Sequence, residues 1–442
     1  MVTASRRNGW QGKNSSKKEE LIVMNKATNK REPSLSFIFV TILLDVLGLG
    51  LIIPVFPKLI ESFTGNIESA SSELGILVAV YALMQFLFAP ILGSLSDRYG
   101  RRPIILLALL GAGLDYLVLA FAPNLVWLFV GRVISGITSA NITTATAYIA
   151  DVSPPEKRAQ NFGMLGVAFG VGFIIGPALG GLLGNVGLRV PFLVVAGTTL
   201  LNVLYGYFVL PESLKPENRR PFSWANANPI GSLSGLGRYP IVLALASTIV
   251  LASLAQNALQ STWVLYTGYR YNWGTSEVGI SLAVVGLGFA IVQGGLTGRI
   301  VPKLGERRAL LIGLGISAIS FFLYGLAPFG WMMYAISLFS ALGGIAGPSA
   351  QSILTQNVLP NEQGGIQGAL TSLNALTGVV GPLIATNVFR FFISEGSPIH
   401  LPGAAFFLGA LLTLIGLVLA IGAFRRLPPA QASGTLTPPL PH

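Results

Sequence analysis

Asp45, Asp115 and Arg132 each sit well inside a long apolar stretch, whereas the other charges of the chain fall in polar segments or at the edges of apolar ones. An ionisable side chain in such a stretch is costly and is retained chiefly for function. Asp45 and Asp115 lie roughly 15 and 18 Å from the starts of their stretches at a rise of ~1.5 Å per residue. Arg132 enters from the opposite face and lies roughly 20 Å from the same side. All three are therefore expected near the middle of a hydrocarbon core of ~30 Å. Burial disfavours a charged carboxylate there, and a neighbouring guanidinium favours it. A group that turns between water and Arg132 can load a proton on one side and release it on the other, the minimum device for proton coupling. Substrate contact and a static polar brace between helices are the other readings, and the residues leave them open.

The elements that must position these groups follow from composition. Hydrophobic residues make up 52% of the 442 and charged residues 10%, against about 25% charged in soluble chains. Apolar runs long enough to span a bilayer recur along the chain, without the strict alternation of a β-barrel. The expected fold class is an all-α polytopic membrane protein of twelve transmembrane helices in two six-helix repeats. The expected spans are 35–57, 74–95, 103–122, 125–148, 161–184, 190–210, 240–262, 276–298, 309–328, 331–354, 366–390 and 404–424. They divide the chain into a disordered basic tail (1–34), a first half (35–210), a linker (211–238), a second half (239–424) and a disordered tail (425–442). The linker carries Pro211, Glu212, Lys215, Pro216, Glu217, Arg219, Arg220 and Pro221, and too few apolar residues to span.

Lys and Arg are distributed unevenly about this layout. The first tail, Arg98, Arg101, Arg102, Lys157, Arg158, the linker, Arg299, Lys303, Arg307, Arg308, Arg425 and Arg426 share one side. Lys58, Arg189, Arg270 and Arg390 occupy the other. The positive-inside rule then makes both termini cytoplasmic. The net charge of +11 is explained by this asymmetry, and no nucleic-acid partner is expected. There is no cysteine, and His400 and His442 are the only histidines, so no metal site or cofactor is expected. The absence of a G-x-x-x-x-G-K-[ST] loop argues against ATP-driven pumping, and no nucleophile–base pair suggests an enzyme.

The halves repeat. SELGI (72–76) and SEVGI (276–280) each open a span, and Gly93…Gly100-Arg101-Arg102 recurs as Gly298…Gly305-Glu306-Arg307. Pro155, Gly163 and Gly176-Pro177 recur 205 residues later as Pro360, Gly368 and Gly381-Pro382. Asp97 and Arg101 are replaced by Pro302 and Glu306, so the charged loop is kept in one half alone. Gly172, Gly176, Gly180 and Gly184, with Pro177 among them, line one face of the fifth span and suit close helix packing. Gln85, Asn141, Gln256, Asn257, Gln260, Gln293, Gln351 and Asn374, with Phe86, Tyr148, Trp263 and Phe289, are candidates to line a large, mostly apolar pocket.

GSLSDRYGRR (93–102) resembles the loop signature of the major facilitator superfamily, which implies parallel repeats about a central site. LLDVLGLGLIIPVFPKL, YALMQFLFAPILGSLSDRYGRRPI, LDYLVLAF, GRVISGIT and STWVLY together resemble the bacterial tetracycline/proton antiporters. GVGFIIGPALGG resembles the fifth-helix motif of proton-driven exporters, here Gly172, Gly176, Pro177, Gly180 and Gly181. The resemblance implies a proton-coupled exporter of amphipathic drugs such as tetracycline-like compounds, or of related metabolites, in the inner membrane. It is expected to work as a monomer with protons, a small organic substrate and the lipid bilayer as partners. Asp45, Asp115 and Arg132 would serve coupling. Gly93, Asp97, Arg98, Gly100, Arg101, Arg102 and Asp151 would form a cytoplasmic latch near the start of span 11. Ser96 and Gln85 match positions tied to tetracycline export. Phe289 and Ser317 stand where those exporters carry His and Asp, which favours another hydrophobic compound over tetracycline itself. The alternative is a facilitator or importer on the same fold.

Overall fold

The structure is a computed structural model that describes residues 35–139, 141–154, 157–222, 240–358 and 363–425. The expected disordered tails, most of the linker, Pro155, Pro360 and the residues preceding Gln363 lie outside the described residues. Twelve candidate spans are found among the described residues. They are α1 (Leu35–Thr64), α2 (Ile67–Tyr99), α3 (Arg101–Phe121), α4 (Leu125–Val152), α5 (Arg158–Val186), α6 (Val190–Val209), α7 (Pro240–Tyr271), α8 (Thr275–Leu304), α9 (Glu306–Leu326), α10 (Gly330–Gln356), α11 (Gln363–Ile393) and α12 (Ala404–Arg425). The chain is all-α, in two six-helix halves.

Local chemistry sets where the spans bend. α1 breaks at residues 53–55, where Pro54 cannot donate a helical hydrogen bond, and Pro57 sits in the first turn of the segment that follows. α4 breaks after Thr138 because Ser139 turns back on the Gly136 carbonyl through its N–H (3.4 Å) and its hydroxyl (2.8 Å). α8 carries a π-helical turn at Val292–Leu296, and α10 a 3₁₀ turn at Leu342–Ile345. The repeat is visible in the turns. Gly100 (φ 106°) and Gly305 (φ 76°), 205 residues apart, both connect two spans in a conformation that L side chains rarely adopt.

The halves meet along two seams, α5 against α8 and α2 against α11. The end bearing Arg101, Arg102, Arg307 and Arg308 is here the basic end, and the opposite end the far end. At the far end one apolar core joins both halves, from Val55, Phe56 and Phe192 to Tyr266, Val278, Phe389 and Phe406. At the basic end the cores are separate. Phe37, Ile42, Ile105 and Tyr148 belong to the first half, and Val242, Leu310, Ile353 and Leu370 to the second. Among the described residues, a methyl group at Gly163, Gly166 or Gly170 of α5, or at Gly294, Gly295 or Gly298 of α8, would meet nothing within 4 Å. The halves are therefore closed at the far end and splayed at the basic end.

Candidate transport site and its gates

Asp115 and Arg132 form a buried pair. Arg132 Nη2 lies 3.4 Å from Asp115 Oδ2, with side-chain exposures of 12% and 0%. The guanidinium also lies over the rings of Phe56 (5.0 Å) and Tyr81 (5.6 Å), which adds cation–π attraction. Gly131 admits the carboxylate, since a Cβ there would stand 2.7 Å from Asp115 Oδ1. The pair is incompletely satisfied: Asp115 Oδ1 and Arg132 Nε have no hydrogen-bond partner among the described residues. A buried charge pair with unused donors and acceptors can exchange partners at lower cost than a saturated one. The contact with Phe56 places the pair beside the α1 break, on the far-end side of Asp45, rather than level with it as the depth count suggests.

Asp45 is half-buried on α1. The Tyr116 hydroxyl lies beside Gly48, one turn from Asp45, at 3.8 Å from the position of a Cβ. Tyr116, the residue after Asp115, thus reaches the stretch of α1 that carries Asp45, and Tyr81 lies under the Arg132 guanidinium. Sequence reasoning missed both. Tyr116 had one signal, its place next to Asp115 in LDYLV; Tyr81 had none.

At the basic end Arg101 organises the loop. Its Nη1 lies 2.6 Å from Asp97 Oδ1 and donates to Ser96 Oγ (2.6 Å), while Nε donates to Asp151 Oδ2 (3.1 Å). Ser96 in turn donates to the Gly93 carbonyl (2.7 Å). Arg102 donates to the Tyr207 carbonyl (2.6 Å), and Arg98 is exposed over the Tyr99 ring (5.1 Å). The structure thus gathers Asp97, Arg101 and Asp151 within the first half, and the expected neighbour before Gln363 lies outside the described residues. In the second half Glu306 and Gln356, each 205 residues on, replace the Arg101–Asp151 pair. Gln356 Nε2 donates to both Glu306 oxygens (3.1 and 3.0 Å), and Ser352 donates to Oε1.

Two linker residues missed by sequence reasoning complete the loop. Glu212 accepts from the backbone N–H groups of Arg101 (2.8 Å), Arg102 (3.3 Å) and Leu214 (3.0 Å), so it caps the start of α3. Ser213 donates to Asp151 Oδ2 (3.0 Å). A Cβ on Gly100 would collide with the Glu212 carboxylate, so that glycine is needed for space as well as for φ. The only sequence signal was a carboxylate one residue after the proline that ends the sixth span. Glu212→Ala removes this cap and its charge from a helix N-terminus. It is expected to cost about 1 kcal/mol and to lower the unfolding midpoint of the detergent-solubilised protein. An unchanged midpoint would refute the capping role.

The fifth-helix glycines at four-residue spacing share one face, against α1, and the adjacent Gly181 serves a second neighbour. Gly172, Gly176 and Gly180 pack on α1, where a Cβ would strike Val46, the Gly50 Cα (2.9 Å) and the Leu51 backbone. Gly181 packs on α8, 3.1 Å from the Gly279 Cα by the same construction. Pro177 cannot donate to the Phe173 carbonyl, and Gly286 of α8 lies over that carbonyl, with a Cβ position 2.9 Å away. α5 thus ties α1 of its own half to α8 of the other.

The polar lining candidates diverge. Gln256 and Gln260 are exposed on α7 and Gln85 is half-buried on α2. Gln293 lies in the π turn and donates to the Gly344 carbonyl in the 3₁₀ turn of α10 (3.0 Å), beside Phe289, which is 53% exposed. Asn257 and Asn374 bind Thr377 (3.2 Å) and Ser253 (2.7 Å) across α7 and α11. The side chain of Asn141 lies outside the described residues. Trp263 is not a lining residue. It is 3% exposed, donates to Ser281 Oγ (3.0 Å) and meets Tyr324 edge-on within the far-end core. Tyr148 and Phe86 are likewise buried. Aromatic character alone did not separate packing residues from pocket walls.

The family model described as Major Facilitator Superfamily matches residues 38–382 and 298–439. A class C tetracycline resistance protein of Escherichia coli is 40% identical over 90% of this chain and 99% of its own length. A class H tetracycline resistance protein of Pasteurella multocida is 35% identical over 91% and 99%. Among solved structures, the human organic anion transporter MFSD10 (TETRAN) is 26% identical with a TM-score of 0.64, over 87% of this chain and 98% of its own. A bacterial homolog of the lysosomal transporter Spinster, in an inward-facing and unoccupied conformation, has a TM-score of 0.71 at 18% identity over 90% and 98%, and supports the fold alone. Span number, repeat, seams and similarity agree: the chain is an integral membrane protein of the major facilitator superfamily and belongs within it to the family of the bacterial tetracycline resistance proteins, which are transporters rather than enzymes.

Proposed function

We propose that the protein exports amphipathic organic compounds, tetracycline-like drugs or related metabolites, across the bacterial inner membrane in exchange for protons. The observation that carries this reading is the buried, incompletely satisfied Asp115–Arg132 pair, packed against Phe56 of the helix that also carries Asp45. It supplies an acid–base set inside the membrane, in the half that holds all three intramembrane charges. With the basic end at the cytoplasm, the splayed conformation is the one that receives substrate from inside. The names of the relatives support export, and Phe289 and Ser317 support a substrate other than tetracycline. Substrate that enters at the basic end displaces the proton from the acidic set to the cytoplasm. After the outward change, protonation from the far side weakens the set's hold on Arg132 and releases substrate, and the protonated set returns inward.

Cells that produce the protein are expected to accumulate less of a fluorescent amphipathic dye than cells that lack it. A protonophore should abolish the difference. Lower accumulation that survives the protonophore would contradict proton-coupled export and favour the facilitator.

A further inference from the structure

The repeated SE-[LV]-G-I segments open α2 and α8 at the far end, and the structure gives them a joint role. On one seam Asn185 Nδ2 of α5 donates to Ser276 Oγ of α8 (2.6 Å). Thr275 Oγ1, 5% exposed, lies 2.8 Å from Asn185 Oδ1 and 3.0 Å from the Gly181 carbonyl. On the other seam Ser72 Oγ of α2 donates to Asn387 Oδ1 of α11 (3.5 Å). Ser72 and Ser276 hold the same position in the repeated segment, and each bonds an asparagine of the opposite half.

Three residues further on, the segment's glycine crosses a proline carbonyl of the other half. A Cβ on Gly279 would collide with the Pro177 carbonyl, and one on Gly75 would lie 3.3 Å from the Pro382 carbonyl. Pro177 and Pro382 are themselves repeat partners. Each seam therefore has the same construction: a glycine–proline crossing that lets the helices touch, and a Ser–Asn bond beyond it.

We propose that these two Ser–Asn clasps, with Thr275 as the buried anchor of the tighter one, are the far-end gate, and that they open together when the halves rock. Their partners are hydroxyl and amide groups, so each clasp exchanges for water without moving a charge, and its net strength is that of ordinary hydrogen bonds. Such a bond can hold the far end closed and still yield to a modest differential interaction elsewhere. The proposal rests on the chain being an alternating-access transporter and is independent of what it carries.

The test needs no substrate. The chain has no native cysteine, so paired spin labels can be placed through Glu68→Cys on α2 and Arg390→Cys on α11. Pulsed distance measurement then reads the α2–α11 seam while Asn185→Leu breaks the α5–α8 clasp. The parent is expected to show mostly short distances. Asn185→Leu should raise the ratio of long to short populations about tenfold, the loss of roughly one net hydrogen bond. Ser276→Ala, which removes one partner with less disturbance, should shift it in the same direction. An unchanged α2–α11 distribution in both variants overturns the proposal. Failure of proton-coupled export alone would leave this measurement unaffected.

Discussion

Arg132→Met is expected to remove most of the folded protein from the membrane. The substitution keeps length and apolar volume over Phe56 and Tyr81 but leaves Asp115, fully buried, with no counter-charge. Removing one partner of a buried ion pair costs about 3–5 kcal/mol, a large share of a total stability of about 5–15 kcal/mol. Asp115→Asn added to Arg132→Met removes the orphaned charge and should restore most of the folded protein, since replacing both partners is far cheaper than removing one. The double variant should still fail to exchange protons for substrate. The yield of monodisperse protein in detergent separates these cases. A single variant as abundant as the parent would show that the pair carries little energy; a double variant that exchanges normally would reduce it to a brace.

Arg101→Ala should give the second-largest effect. Arg101 is 9% exposed and joins Ser96, Asp97 and Asp151 around one guanidinium. Each charged hydrogen bond is worth about 1.5–3 kcal/mol when desolvated, less here because Asp97 is 44% and Asp151 22% exposed. A loss of about 2–4 kcal/mol is expected, together with at least about tenfold slower transport. Arg101→Lys should recover little, because one ammonium cannot reproduce the planar fork that meets oxygens on two helices. Glu306→Ala, at the repeat-equivalent position, should cost less, since its partners are the neutral Ser352 and Gln356. Thermal unfolding and initial transport rates of the three variants test this ordering. Equal effects at Arg101 and Glu306 would contradict the assignment of the charged network to one half.

Much of this was legible in the sequence because a membrane leaves few options. Apolar runs of fixed length gave the twelve spans, and the 205-residue offset gave the repeat. The ends were less legible. α2 begins at Ile67 rather than 74, because the Asn66 side chain caps a polar first turn that a hydropathy window does not register. The charged site was half legible. Asp115 and Arg132 stand out as charges among apolar residues, but that they pair, and that Phe56 and Tyr81 line them, depends on how α1, α2, α3 and α4 cross. Glu212 was unreadable as a cap because its partners are backbone groups 110 and 111 residues away. Trp263 was misread because indole N–H groups find hydroxyl partners in packed cores as readily as in pockets. The SE-[LV]-G-I repeat was visible, but its contacts belong to the opposite half.

Proton movement in inverted vesicles tests the central claim most directly. With an imposed pH gradient, acid inside, addition of a transported amphipathic compound should collapse part of the gradient in the parent. The same addition should have no effect in Asp45→Asn or Asp115→Asn variants that retain the fold. A substrate-dependent proton flux that persists in both variants would contradict the assignment of coupling to these residues, and substrate movement in the parent with no proton flux would contradict antiport itself.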